Sequence, residues 1–241
     1  WLFQQYPEMM NRRFFALSLC ACLLLAGCGA PGAAAGSAPE SAPPQQEETL
    51  STPYAVDFRL TSGHHTAGID FPAGVYDLEA IQWCGTVTSS NDAISLDMGT
   101  PEYNTDGQSH YEQAAEGVDL PAGTVLSLSG GVTLRLTCPD ADPAPLMPRE
   151  QDITEDVKLT PGKYTAGADF PAGVYDFTAL NGVGNVESSN MHDGGICDVM
   201  GTTWRIAEGF GFCNQKYENI SLPEGTALNI SGVDLLLTPS E

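Results

Sequence analysis

The chain has 241 residues, with 31 Asp and Glu against 9 Lys and Arg, a formal net charge of −22. A phosphate backbone needs a basic face, so nucleic acid is excluded as the main partner. Frequent Gly (26) and Pro (17), with only 17% charged residues, exclude a coiled coil, a collagen and a polytopic membrane protein.

In chain order, residues 10–28 come first and read MNRRFFALSLCACLLLAGC. Arg12 and Arg13 form a basic start, and Phe14 to Leu25 form an apolar run of 12 residues. A spanning helix needs about 20 apolar residues, so the run is that of a signal peptide. It ends in Leu25-Ala26-Gly27-Cys28, which resembles the bacterial lipobox. That resemblance implies a diacylglyceryl group on the Cys28 sulfur and cleavage just before it. Residues 1–27 are therefore expected to leave as a signal peptide, with residues 1–8 upstream of a true start at Met9 or Met10. The expected partner is the lipid bilayer, through acylated Cys28. The expected location is the extracellular side of the cell membrane, since acyl chains on one Cys anchor a protein without spanning.

Residues 28–55 hold the lipidated Cys and a stretch of Ala, Gly, Ser and Pro with almost no large apolar side chains. Such a stretch cannot bury enough surface to offset its ordering entropy, so a disordered linker is expected. As a coil it would reach on the order of 30 Å.

The remainder repeats itself. Thr66-Ala-Gly-Ile-Asp-Phe-Pro-Ala-Gly-Val-Tyr-Asp77 recurs as Thr165-Ala-Gly-Ala-Asp-Phe-Pro-Ala-Gly-Val-Tyr-Asp176, an offset of 99. Met98-Gly-Thr100 recurs as Met200-Gly-Thr202 at an offset of 102, so the second copy carries an insertion of three residues. The copies span 56–138 and 156–239, joined by a Pro- and Asp-rich linker at 139–155.

Within each copy the apolar residues alternate. Tyr76, Leu78 and Ala80 share a face, as do Tyr175, Phe177 and Ala179; Val132, Leu134 and Leu136 match Val233, Leu235 and Leu237. A period of two with one polar face marks antiparallel sheets over a shared core. Four turns, Phe71-Pro-Ala-Gly74, Leu120-Pro-Ala-Gly123, Phe170-Pro-Ala-Gly173 and Leu222-Pro-Glu-Gly225, are expected to place their last glycine at positive φ. Gly182-Val-Gly184 reads as a further turn. The expected fold is all-β: two tandem antiparallel β-sandwiches, jelly-roll or immunoglobulin-like, of seven or eight strands each.

The pattern T-x-G-x-D-F-P-A-G-V-Y-D, then S-S-N, M-G-T and L-P-x-G-T, resembles a repeat of uncharacterised lipoproteins and cell-surface proteins of Gram-positive anaerobes. The resemblance covers both copies and implies a surface-exposed β-domain. It brings no activity.

Four cysteines lie beyond the lipobox. Cys84 with Cys138, and Cys197 with Cys213, are candidate disulfides within the copies, the alternative being four thiols. No pair has zinc-ligand spacing, and no metal or cofactor is expected. The polar residues shared by the copies are few: Asp70/Asp169, Asp77/Asp176, Ser89/Ser188, Ser90/Ser189 and Asn91/Asn190. They are expected to hold turns rather than to catalyse. His64-His65 has no counterpart in the second copy and reads as an exposed strand. No nucleophile elbow, zinc helix or P-loop occurs, and a non-enzymatic module that binds a carbohydrate or protein is expected. The alternatives are a structural spacer or envelope protein with no small ligand and a hydrolase with its site between the copies. Candidate ligand contacts are Trp204, Phe210 and Phe212, with Tyr103 and Tyr111 in the other copy, for a sugar ring or a protein. Capping of a sandwich end is the competing reading for these aromatics.

Overall fold

Alternating side chains give the first copy eight strands: β1 (Tyr54–Leu60), β2 (Gly63–Thr66), β3 (Gly74–Gln82), β4 (Cys84–Ser89), β5 (Ser95–Gly99), β6 (Ala114–Leu120), β7 (Val125–Leu128) and β8 (Thr133–Ala141). The second has seven: β9 (Val157–Leu159), β10 (Gly162–Thr165), β11 (Gly173–Ser188), β12 (Cys197–Gly201), β13 (Lys216–Leu222), β14 (Ala227–Ile230) and β15 (Val233–Pro239). The structure is a computed structural model and describes residues 52–104, 110–202 and 213–241. Among these the only helical element is a 3-10 turn at Pro101–Tyr103, and no helix is long and apolar enough to cross a membrane.

Strand pairing decides between the two expected sandwiches. In the first copy β1 pairs with β8, β2 with β7, β3 with β6 and β4 with β5, all antiparallel. That is one long ribbon of paired strands wrapped round a core, which gives the sheet orders β1-β8-β3-β6 and β2-β7-β4-β5. The arrangement is a jelly roll. The second copy repeats it: β9 with β15, β10 with β14, and β11 with β13 along its first half and β12 along its second. Strand β11 is the counterpart of β3 and β4 fused, and so serves both sheets. Gly182-Val-Gly184, expected as a turn, lies inside it at the corner.

Each copy has its own core. Tyr76, Leu78, Leu134 and Leu136 are at most 1% exposed in one, as are Tyr175, Phe177, Leu235 and Leu237 in the other. The buried tyrosines keep a partner: Tyr76 Oη donates to Pro72 O at 2.6 Å and Tyr175 Oη to Pro171 O at 2.7 Å. The L-P-x-G turns follow expectation, with φ of +86° at Gly123 and +82° at Gly225. The F-P-A-G turns do not. Gly74 and Gly173 enter β3 and β11 with no positive φ, and their lack of a side chain serves packing instead. A Cβ would lie 2.9 Å from Cys138 Sγ at Gly74 and 2.5 Å from Ile153 Cδ1 at Gly173.

The segment between the copies is tied down on both sides. Met147 N donates to Gly68 O at 2.8 Å, and Arg149 Nη2 reaches Asp70 Oδ1 at 2.7 Å with both side chains 12% exposed. Gln151 bonds Val174 N and Ser240 O. The described residues from 52 to 241 belong to one compact unit.

Candidate functional site

Two places carry chemistry beyond the scaffold. The first is the seam where the copies meet. Strand β2 of the first copy pairs in parallel with β13 of the second through Gly63 and Glu218, and Glu218 N donates to Ser62 O at 3.0 Å. The strands approach so closely that a Cβ on Gly63 would lie 2.7 Å from Glu218 O. Around this contact Ser62 Oγ donates to Asn214 Oδ1 at 3.1 Å. Asp198 Oδ2 accepts from Asn214 Nδ2 at 2.8 Å and from Gly130 N at 3.1 Å. Burial pushes the Asp198 carboxyl up, against the pull of these hydrogen bonds.

His64 and His65 belong to this seam and not to an exposed strand. His65 is 3% exposed, with Nε2 2.9 Å from Thr61 O. His64 is half-buried, with Nε2 2.7 Å from Gly195 O and Nδ1 2.8 Å from Ser127 Oγ. A carbonyl only accepts, so Nε2 carries the proton and donates; neutral Nδ1 then accepts from the serine hydroxyl. Burial lowers the pKa of this imidazole, the bond to Gly195 O opposing. Those facts make a Ser127–His64 couple a poor nucleophile and base. The imidazolium that a base must become is disfavoured, and a carbonyl faces Nε2 where a carboxylate would support it.

The second place is the loop end of the first copy. Trp83, between β3 and β4, holds φ +60°, a conformation that bulky residues rarely adopt. Its ring lies 6.3 Å from that of Tyr103, tilted by 55°. Tyr111 is tied in by Asn104, whose Oδ1 accepts from Tyr111 N at 2.8 Å and whose Nδ2 donates to Tyr111 O at 2.9 Å. Burial, and then the neighbouring Cys84, push the Tyr103 hydroxyl up; burial also raises the Cys84 thiol, a hydrogen bond with Tyr111 opposing. The structure thus brings the candidates Tyr103 and Tyr111 together with Cys84 and adds Trp83. Trp83 had a signal in the sequence: at an offset of 99 it stands opposite Gly182, which has φ +79°.

The other candidates are placed differently. Trp204, Phe210 and Phe212 lie outside the described residues, as do Cys28 and the rest of residues 1–51. Tyr54 and Ala55, expected in the linker, instead open β1, paired with the end of β8. The four further cysteines stand as thiols, Cys197 exposed and the others buried. Cys84 follows Gln82, which pairs with Thr133, whereas Cys138 lies five residues further along β8. That is about 16 Å of strand, and a disulfide allows about 7 Å between Cα atoms. Cys197 opens β12 on the outside, while Cys213 is buried beside Asn214, which bridges to Met200.

The repeated polar residues all bond backbone, in the same way in both copies. Asp70 and Asp169 accept from Thr66 N and Thr165 N at 2.6 and 2.7 Å. Asp77 and Asp176 accept from Gly117 N and Asn219 N, the left-handed residues of matching bulges. Ser89 and Ser188 hold Ile94 N and Ile196 N, Ser90 and Ser189 hold Val125 N and Ala227 N, and Asn91 and Asn190 donate to Asp119 O and Ser221 O. Among the described residues no group of three or more His, Cys, Asp or Glu side chains is placed to hold a metal ion. Set against known protein families, curated proteins and solved structures, the chain matches none.

Proposed function

We propose that the chain is an exported lipoprotein, held to the outer face of the cell membrane through Cys28, whose paired jelly rolls bind a carbohydrate or protein ligand without catalysis. The observation that carries this reading is Trp83, kept at φ +60° against Tyr103 where the second copy has a glycine. Left-handed backbone costs a bulky residue about 1–2 kcal/mol, and such costs collect at functional positions. Aromatic rings at a loop end offer a flat face to a sugar ring or an apolar side chain. The lipobox, the stalk-like segment after it and the repeat pattern support the location. The half-buried, weakly basic His64 and the scaffold role of every shared polar residue support the absence of catalysis.

The test is Trp83→Gly. Glycine already fills this position in the second copy, so the fold should be kept while the ring is lost. Full-length protein and the variant are compared on a glycan array and against extracted cell-surface proteins. Binding of at least one ligand by the parent and loss of that ligand in a folded variant is the expected result; equal binding of every ligand by both would reject the aromatic end as a site. A second reading, a rigid spacer with no ligand, is favoured by the tie between Arg149 and Asp70 and by the seam. It would prevail if the parent bound nothing in either assay.

A further inference from the structure

The seam encloses a cleft of about 480 Å³ that neither copy has alone. Its floor is the outer face of β4 and β7, where Thr86, Thr88, Ser127 and Ser129 stand side by side. Thr88 is paired directly with Ser127, and Ser129 N donates to Thr86 O. Its far wall is the loop before β12, with Met191, His192 and Gly195, and the ring of Tyr217. That loop contains the insertion of three residues: Ser89-Ser-Asn-Asp-Ala-Ile94 becomes Ser188-Ser-Asn-Met-His-Asp-Gly-Gly-Ile196.

We propose that this cleft binds a neutral oligosaccharide, at a site separate from the aromatic end. The inference rests on the chain being a ligand-binding protein but not on Trp83. Three observations point to this ligand class. The lining contains no Asp, Glu, Lys or Arg in a chain with 31 acidic and 9 basic residues, so an ionic ligand finds no counter-charge there. Thr88 and Ser129 bring hydroxyls that both donate and accept, while Thr86 and Ser127, whose protons go to Asp97 Oδ1 and His64 Nδ1, still accept. That mixture suits the hydroxyls of a sugar, and Met191, His192 and Tyr217 offer apolar surface to its C–H faces. The floor is also special to this copy. Three of its four positions change in the second, where Asn185, Glu187 and Asn229 replace Thr86, Thr88 and Ser127, and only Ser129 is kept, as Ser231.

The experiment titrates full-length protein, in a detergent free of sugar, with maltohexaose, cellohexaose, mannohexaose and chitohexaose. It is followed by calorimetry and by the spectra of labelled methionine methyl groups. Three variants run beside the parent: Thr88→Val with Ser129→Ala on the floor, Met191→Ala with His192→Ala on the exposed wall, and Trp83→Gly. Expected are binding of at least one probe with a shift of the Met191 signal, a weakening of at least tenfold in the floor and wall variants, and a change within twofold for Trp83→Gly. Should none of the four probes bind, or should floor and wall variants bind as the parent does, the proposal is overturned. Loss in Trp83→Gly alone would overturn it too, while leaving the functional reading of the aromatic end intact. The wall pair lies on an exposed loop, so the test survives if the floor variant fails to fold.

Discussion

The two copies share a topology and a set of short motifs, and they differ at many of the positions between those motifs. Where they agree, residues fill cores or hold turns: Phe71 and Phe170, Tyr76 and Tyr175, Ser89 and Ser188. The positions where they disagree include some in the cores, such as Leu78 and Phe177, and those of the seam and the aromatic end. His64 stands opposite Lys163, Asp198 opposite Leu96, Trp83 opposite Gly182, and the inserted loop opposite nothing. A duplicated domain therefore reports on itself. Agreement marks what the fold needs, and a polar or aromatic divergence outside the cores marks a place where the two copies do different things.

The largest effects should come from the agreeing positions. Phe71 is 1% exposed and packs edge-on against Tyr76 with ring centres 5.7 Å apart; Phe170 is 4% exposed and meets Tyr175 at 6.0 Å. Truncating either to Ala should cost about 3–5 kcal/mol in its own copy. Denaturant unfolding followed separately in each copy should show Phe71→Ala weakening the first and Phe170→Ala the second. Equal loss in both copies from one substitution would mean that the two cores act as a single cooperative body.

The contrast also explains what could be read from the sequence. Period-two alternation exposed Tyr76, Leu78 and Ala80 as core because a strand's own residues decide which face is wet. The jelly-roll order was hidden, since β1 meets β8 across some 80 residues and no local pattern records it. His64 and His65 were misread for a related reason: β2 is an edge strand, and what covers it is β13 of the other copy. Gly74 was misread because F-P-A-G and L-P-A-G look alike, whereas the neighbours that decide between them, Cys138 and the open side of Gly123, come from elsewhere in the fold. The insertion and the Trp83/Gly182 mismatch were both visible, and both point to the sites.

A middle-sized effect should come from the seam itself. Gly63→Val would drive a Cβ to within 2.7 Å of a backbone carbonyl that cannot rotate away, as a flexible side chain would. Overpacking of this kind costs about 1–3 kcal/mol. Neither core includes Gly63, so the cost falls on the contact between copies. Amide exchange should show Glu218 N, now bonded to Ser62 O, losing protection while Leu134 and Leu235 keep theirs. Unchanged protection at Glu218 would show that the β2–β13 pairing is not what joins the copies.

The smallest effect is a pH dependence at the same place. Folding lowers the pKa of His64 from its ordinary 6.5 because the ring is buried, with His65 beside it adding a smaller push in the same direction. Above pH 6.5 the ring is neutral whether the chain is folded or not, and the stability is fully present. As the pH falls below 6.5 the unfolded chain takes up a proton that the folded chain refuses. Stability is then lost until the lowered folded value is passed, at no more than about 1.4 kcal/mol per pH unit. Asp198, buried in the same seam, works the other way. Its raised pKa returns stability as the pH falls through its folded value, so the His64 slope is read as the difference between the parent and a variant that lacks only the imidazole, in which the Asp198 contribution cancels. Glu218, Tyr217, His192 and Cys197 are further titratable groups on facing elements. His64→Gln keeps a donor for Gly195 O and an acceptor for Ser127 Oγ but cannot titrate. Its stability curve should be flatter than the parent's between pH 6.5 and about 5, and parallel curves would mean that the proton reaches His64 in the folded protein as readily as in the unfolded chain.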